Sequence, residues 1–121
     1  MSPDIERELA KAYPELFSLT CGCGDGWYLI LDALFSVLDK IRARQHELPE
    51  LKVVQIKEKF GELRVHLTAD PDDAYAACEM AEAMSARTCE LCGKPGWIRS
   101  KRGWLMCRCD ECWRKEMADD A

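Results

Sequence analysis

Residues 88–117 read TCELCGKPGWIRSKRGWLMCRCDECWRKEM. Two C-x-x-C pairs, Cys89/Cys92 and Cys109/Cys112, stand sixteen residues apart. That is the arrangement of a four-cysteine zinc site. Gly93 follows the second cysteine and tolerates the sharp turn of a zinc knuckle, in which backbone N–H groups face the sulfurs. Four thiolates around one zinc make a closed tetrahedral site with no open position for water or substrate. The expected cofactor is therefore one structural Zn2+. Its binding drives folding, worth about 10–16 kcal/mol in small peptides.

Cys107 lies within the same six-residue stretch as Cys109 and Cys112. A C-x-C pair has a tighter bite than C-x-x-C and lacks the knuckle turn. The spacing selects Cys109 and Cys112 as ligands and leaves Cys107 as a strand residue beside the site, for packing or as a substitute ligand. Trp97–Ser100 and Trp104–Cys107 can pair as a hairpin around Lys101-Arg102-Gly103. Asp110 and Glu111 suit the first turn of a helix running into WRKEM. Knuckle, hairpin and ligand-bearing helix describe a treble-clef-like finger. A plain zinc ribbon, with a second knuckle in place of the helix, is the alternative.

Upstream, SPDIERELAKAYPELF places Ser2 at a helix cap and Pro3 at the first helical position. This helix runs to about Ala12, with Pro14 as its stop. Gly22, Gly24 and Gly26 form a loop, and Asp25 is a candidate N-cap. Trp27, Ile30, Leu31, Leu34, Leu38 and Ile41 then mark the apolar stripe of a helix over about 26–45, closed by Leu48-Pro49-Glu50. The stretch LKVVQIKEKFGELRVHLT predicts a β-hairpin with a four-residue loop, Glu58–Gly61. That register pairs Ile56 with Leu63 and Val54 with Val65 on the apolar face. It sets Gln55 against Arg64 and Lys57 against Glu62 on the other. Asp70 and Pro71 open a further helix, whose buried stripe is Ala74, Ala77, Cys78, Ala81 and Met84 or Ser85, packed against the hairpin. The fold class expected is α+β. A small helix–β-hairpin–helix unit spans 1–88, the four-cysteine module spans 89–117, and 118–121 form a frayed acidic tail.

The 121 residues carry a formal charge of −5. Residues 89–121 contribute +1, leaving −6 for residues 1–88. That acidity argues against non-specific binding to a polyanion. Four thiolates with one zinc add −2 and bring the finger to about −1. No apolar run reaches the ~20 residues of a membrane helix. The start, MSPDIERELAK, lacks the basic flank and apolar stretch of a signal peptide. A cytoplasmic location is expected, where clustered cysteines read as metal ligands rather than disulfides. Cys21 and Cys23 stand as C-x-C among glycines. A second metal there would need Cys78 or His66, and a tight loop with Cys23 partly buried is the simpler reading. Cys78, on a helical stripe, reads as core.

Four motifs occur here in a fixed order: CGDGWYLILDAL (23–34), VQIKEKFGELRVHL (54–67), CELCGKPG (89–96), and Trp104 ahead of CDEC (109–112). In this combination, over about residues 13–113, the chain resembles a family of small zinc-finger proteins of bacteriophage and prophage genomes. In that family the second ligand pair falls where Cys109 and Cys112 stand, and a non-cysteine is common at the place of Cys107. The resemblance implies a phage-encoded accessory protein in the cytoplasm of a bacterial host cell. It supplies no mechanism.

Three functions are weighed. The first is binding of a host or phage protein, including inhibition of a host enzyme or defence system. Its contact groups would be the hairpin face (Gln55, Lys57, Lys59, Arg64, His66) and the finger's Trp97 and Trp104. A solvated sheet face, and tryptophans that pack the finger onto the α+β unit, are the plainer readings of the same residues. The second is nucleic-acid binding through Arg99, Lys101, Arg102 and Arg108, with Trp97 and Trp104 as stacking groups, against the charge balance above. The third is a small hydrolytic enzyme. His46 and His66 sit in no catalytic motif, and nothing in the spacing of Asp25, Glu58 and His66 brings them together. The expectation is a non-enzyme.

Overall fold

The computed structural model describes residues 1–18, 20–44 and 50–119. His46 and the Leu48–Pro49 stop of the long helix lie outside them. Pro3–Ala12 form α1, with Pro3 in the first turn. Ser2 holds the cap position without a side-chain cap bond. Its N–H donates instead to Asp25 Oδ1 at 2.7 Å. Asp25 is therefore not the N-cap of the long helix. It opens a single 3-10 turn, Asp25–Trp27, that leads into α2, Tyr28–Arg44. The predicted stripe is buried throughout, and Phe35 joins it. Tyr13 and Phe17 pack on Phe35, with ring centroids 5.8 and 5.1 Å away. Each fully buried aliphatic or aromatic side chain contributes roughly 1.5–3 kcal/mol, so α2 is the spine of the core.

β1 (Val53–Lys59) and β2 (Glu62–Leu67) form the first hairpin. The observed pairs are Ile56 with Val65, Lys57 with Arg64, Glu58 with Leu63 and Lys59 with Glu62. The four-residue loop is corrected to a two-residue turn, Phe60–Gly61. Both residues have positive φ, 55° and 84°. This is the type I′ class, whose twist matches that of the strands and gains an additional ladder pair. Glu58 accepts the Gly61 N–H at 2.8 Å. The shift keeps Ile56, Leu63 and Val65 on one face. It separates Lys57 from Glu62, and Arg64 pairs with Glu62 along its own strand at 2.9 Å. A bulge between Val53 and Gln55 turns Val53 into the core and leaves Val54 about half exposed, so Val54 does not face Val65.

α3, Asp72–Ser85, starts one residue beyond Pro71. Ala74, Cys78, Ala81 and Ser85 are its buried positions, and Met84 faces out. Ser85 Oγ donates to Glu82 O at 2.6 Å and accepts from Leu63 N at 2.9 Å, which satisfies a buried hydroxyl. α3 packs on α2 as well as on β2. The second hairpin is β3 (Trp97–Lys101) and β4 (Trp104–Arg108), closed by another positive-φ pair, Arg102–Gly103. α4 is Asp110–Ala118, one residue into the stretch read as a frayed tail. No helix among the described residues is long and apolar enough to cross a membrane.

The CGDGW loop holds the four-cysteine segment. Gly26 N donates to Glu90 O at 2.7 Å. Gly24 N donates to Glu90 Oε2 at 2.8 Å. Trp27 is fully buried, and its indole N–H donates to Thr88 O at 2.9 Å. A Cβ on Gly26 would stand 2.1 Å from Cys89 O. These glycines are required for close approach of two backbones.

Candidate metal centre and exposed contact groups

The turn after Cys89 is tied down by Gly93 N to Cys89 O at 2.9 Å and Cys89 N to Lys94 O at 2.8 Å. Gly93 has φ +82°, the left-handed turn that glycine was expected to supply. Cys109 caps α4 and its Sγ accepts the Cys112 N–H at 3.4 Å. Loop and helix start thereby bring Cys89, Cys92, Cys109 and Cys112 together. Their Sγ atoms all lie within 4.8 Å of one another, with 3.6 Å between Cys92 and Cys109. A tetrahedral ion with ~2.3 Å bonds to sulfur needs S···S edges of about 3.8 Å, so the cluster fits a metal ion.

The electrostatics favour thiolates at the ends fixed by backbone. The N–H of Cys112 lowers Cys109 to about 7. Burial works against ionisation of Cys89, yet N–H groups of Cys109, Cys92 and Leu91 outweigh it and hold the thiol below its ordinary value. Cys112 is pushed up to about 12 by burial and by the adjoining thiols. Thiols this close resist joint ionisation until a cation neutralises them, which is the chemistry of a metal site.

Cys107 answers to a different environment. It is fully buried, pairs with Ile98 and belongs to the hydrophobic core. Burial raises its thiol, and its carbonyl accepts from Glu90 N at 3.1 Å. The metal-like cluster is formed without it. Cys21, Cys23 and Cys78 are also buried in the core cluster. Among the described residues they join no group of three metal-ligating side chains.

The expected contact groups differ in exposure. Arg99 bonds Asp110 at 2.5 Å and lies 4.2 Å from the Trp97 ring centroid and 5.5 Å from that of Trp113. Arg108 faces Glu90 at 3.6 Å and Glu116 at 3.9 Å. Their side chains are only 13% and 11% exposed. Burial raises the Glu90 carboxyl, opposed by the Gly24 N–H and Arg108. Lys101 Nζ donates to Glu116 O at 2.9 Å, near the end of α4. Of the basic finger cluster, Arg102 alone is exposed in the β3–β4 turn. On the first hairpin Lys59 and His66 are exposed, while Lys57 and Arg64 are half-buried. Asp25 accepts from Ser2 and Glu58 from Gly61, so neither is directed to His66.

A Cβ on Gly61 would stand 3.3 Å from the Ile98 side chain, so the tip of the first hairpin packs against the strands of the second. Between them is a groove of about 510 Å3 lined by Phe60, Trp104, Leu105 and the charged Glu58, Lys59 and Arg102. Trp104 is 76% and Phe60 65% exposed. Phe60 and Leu105 were not among the expected contacts. The signal for Phe60 was an aromatic inside the charged run KEKFGE, where no packing stripe accounts for it. Trp27 does pack between the segments, as a plain structural tryptophan.

Comparison of the chain with protein-family models, curated proteins and solved structures found no match.

Proposed function

We propose that this chain is a phage-derived accessory protein that binds a protein partner of the host or phage, carries one structural zinc in a treble-clef finger, and performs no catalysis. Inhibition of a host enzyme or defence system in the bacterial cytoplasm is the role such binding would serve. The zinc reading rests on the four-sulfur cluster, all within 4.8 Å of one another, and on the cysteine spacing. The treble-clef reading rests on the order of knuckle, hairpin and ligand-bearing helix, since α4 stands where a ribbon would have a second knuckle.

The observation that carries partner binding is the pair of exposed aromatics at adjacent hairpin tips. An exposed Trp and Phe flanking a groove are the kind of anchors that dominate protein interfaces. Lys59 at its edge favours a partner segment bearing a carboxylate. A nucleic-acid surface is less well supported. Arg99 and Arg108 are spent on internal ion pairs, and the chain is acidic.

The test is affinity isolation from bacterial cells at low salt with native mass spectrometry, for wild type and for Phe60→Ala/Trp104→Ala. We expect one zinc per chain and a stoichiometric protein that is lost in the double variant. A nuclease-sensitive load on wild type, or a bound protein that ignores both substitutions, would overturn this reading.

A further inference from the structure

Apolar surface is also left over between α2 and α3. Ile30, Ala33, Val37, Ala77, Met80 and Met84 line a groove of about 220 Å3. Met80 is 65% exposed. The outer stripe of α2 continues from Leu29, Ala33 and Val37 to Lys40 and Arg44, all exposed and spaced as one helical face. Its acids are engaged elsewhere: Asp32 accepts from the Tyr13 hydroxyl, and Asp39 pairs with Arg42. The outer residues of α3 are apolar or acidic, and the helix contains no base. The Trp27–Thr88 hydrogen bond joins the start of α2 to the end of α3, so the two helices run antiparallel. The basic end of α2 therefore lies level with the acidic start of α3. Among the described residues Lys40, Arg44, Asp72 and Asp73 form no ion pair.

We infer that this face binds a second copy of the chain about a two-fold axis parallel to the helices. α2 of one protomer then lies on α3 of its partner, antiparallel to it. Lys40 and Arg44 meet Asp72 and Asp73 of the partner subunit, and the methionines close over Val37 and Ala33. Every neighbour in the resulting four-helix arrangement is antiparallel, with helix dipoles opposed. An axis perpendicular to the helices would instead put acidic α3 on acidic α3. Helices of 17 and 14 residues share roughly 20 Å of length. With two helices side by side, the accessible area buried is on the order of the ~800 Å2 per partner of a stable interface. The occupant is self-complementary in shape and charge, which a C2 interface requires.

The experiment is sedimentation equilibrium of the zinc-loaded full chain, with circular dichroism and metal content to establish folding of each variant. Wild type is expected to dimerise in the micromolar range. Met80→Glu places two charges in the seam and should weaken the dimer by about 100-fold or more. Lys40→Glu should weaken it by roughly fivefold to tenfold. Lys40→Glu/Asp73→Lys should regain most of that loss. A wild-type chain that stays monomeric, whether or not a different protein occupies the face, overturns the inference. So does a dimer indifferent to Met80→Glu, or a charge-reversed pair weaker than Lys40→Glu alone.

Discussion

Gly26→Ala tests how the metal module is held to the rest of the chain. The added Cβ would lie 2.1 Å from Cys89 O and 2.6 Å from both the carbonyl carbon and oxygen of Glu90. All three are backbone atoms, so the knuckle must withdraw rather than a side chain rotate. Withdrawal strains three hydrogen bonds: Gly26 N to Glu90 O, Gly24 N to Glu90 Oε2 and Trp27 Nε1 to Thr88 O. At ~1 kcal/mol each, plus partial exposure of Trp27 at ~1–2 kcal/mol, the loss is about 4–5 kcal/mol. That is a large share of the ~5–15 kcal/mol that holds a domain together. The assay is urea unfolding at fixed free zinc, because bound metal shifts apparent stability. Far-UV circular dichroism and zinc release are read in parallel, and the two transitions should move together. Gly103→Ala is the control. It has open space but φ +86°, so strain alone costs about 1–2 kcal/mol. A Gly26→Ala protein as stable as Gly103→Ala would refute the reasoning that backbone contact, and not local conformation, demands glycine at 26.

Cysteine variants separate ligand from core. Cys109→Ala should lose stoichiometric zinc by native mass spectrometry, whereas Cys107→Ala should retain one zinc per chain with a modest loss of stability. Zinc loss in Cys107→Ala would move that residue into the site. The buried thiols give a pH dependence. Burial pushes Cys21, Cys23 and Cys78 from the ordinary value near 9 up to about 12. The folded chain keeps these protons where the unfolded chain releases them, so stability present below about pH 9 is lost as pH rises toward about 12. Consistent with this, iodoacetamide at about pH 8 should leave all three unmodified in the folded protein and label them in denaturant. Fast labelling of Cys23 in the folded chain would contradict its burial.

The four-cysteine cluster was legible because its information is local. Thiolate ligands at C-x-x-C spacing, Gly93 and the acidic start of α4 each act within a few residues. The α2 stripe was legible for the same reason. The hairpin register was not, because type I′ turns are usually announced by Asn, Asp or Gly and here begin with Phe60 and Arg102. Nor was Val54, since a bulge resets the alternation on which a strand is read. The finger's basic residues looked alike in one dimension. Only the tertiary structure distinguishes Arg99 and Arg108, largely buried beside carboxylates, from Arg102, exposed at the turn.

The amino-acid order alone determined the α+β class, the long core helix and the four cysteines that cluster, and it favoured them over Cys107. These follow from periodicity and from chelate spacing, which short chain segments impose. The tertiary structure decided that the CGDGW glycines serve as a seat for the knuckle. It decided that two hairpin tips share one groove, and that α2 and α3 leave a seam with opposite charges. Each depends on contacts between residues distant in the chain, such as Gly24 with Glu90 or Gly61 with Ile98. Close approach of that kind is a property of packing, and no local pattern encodes it.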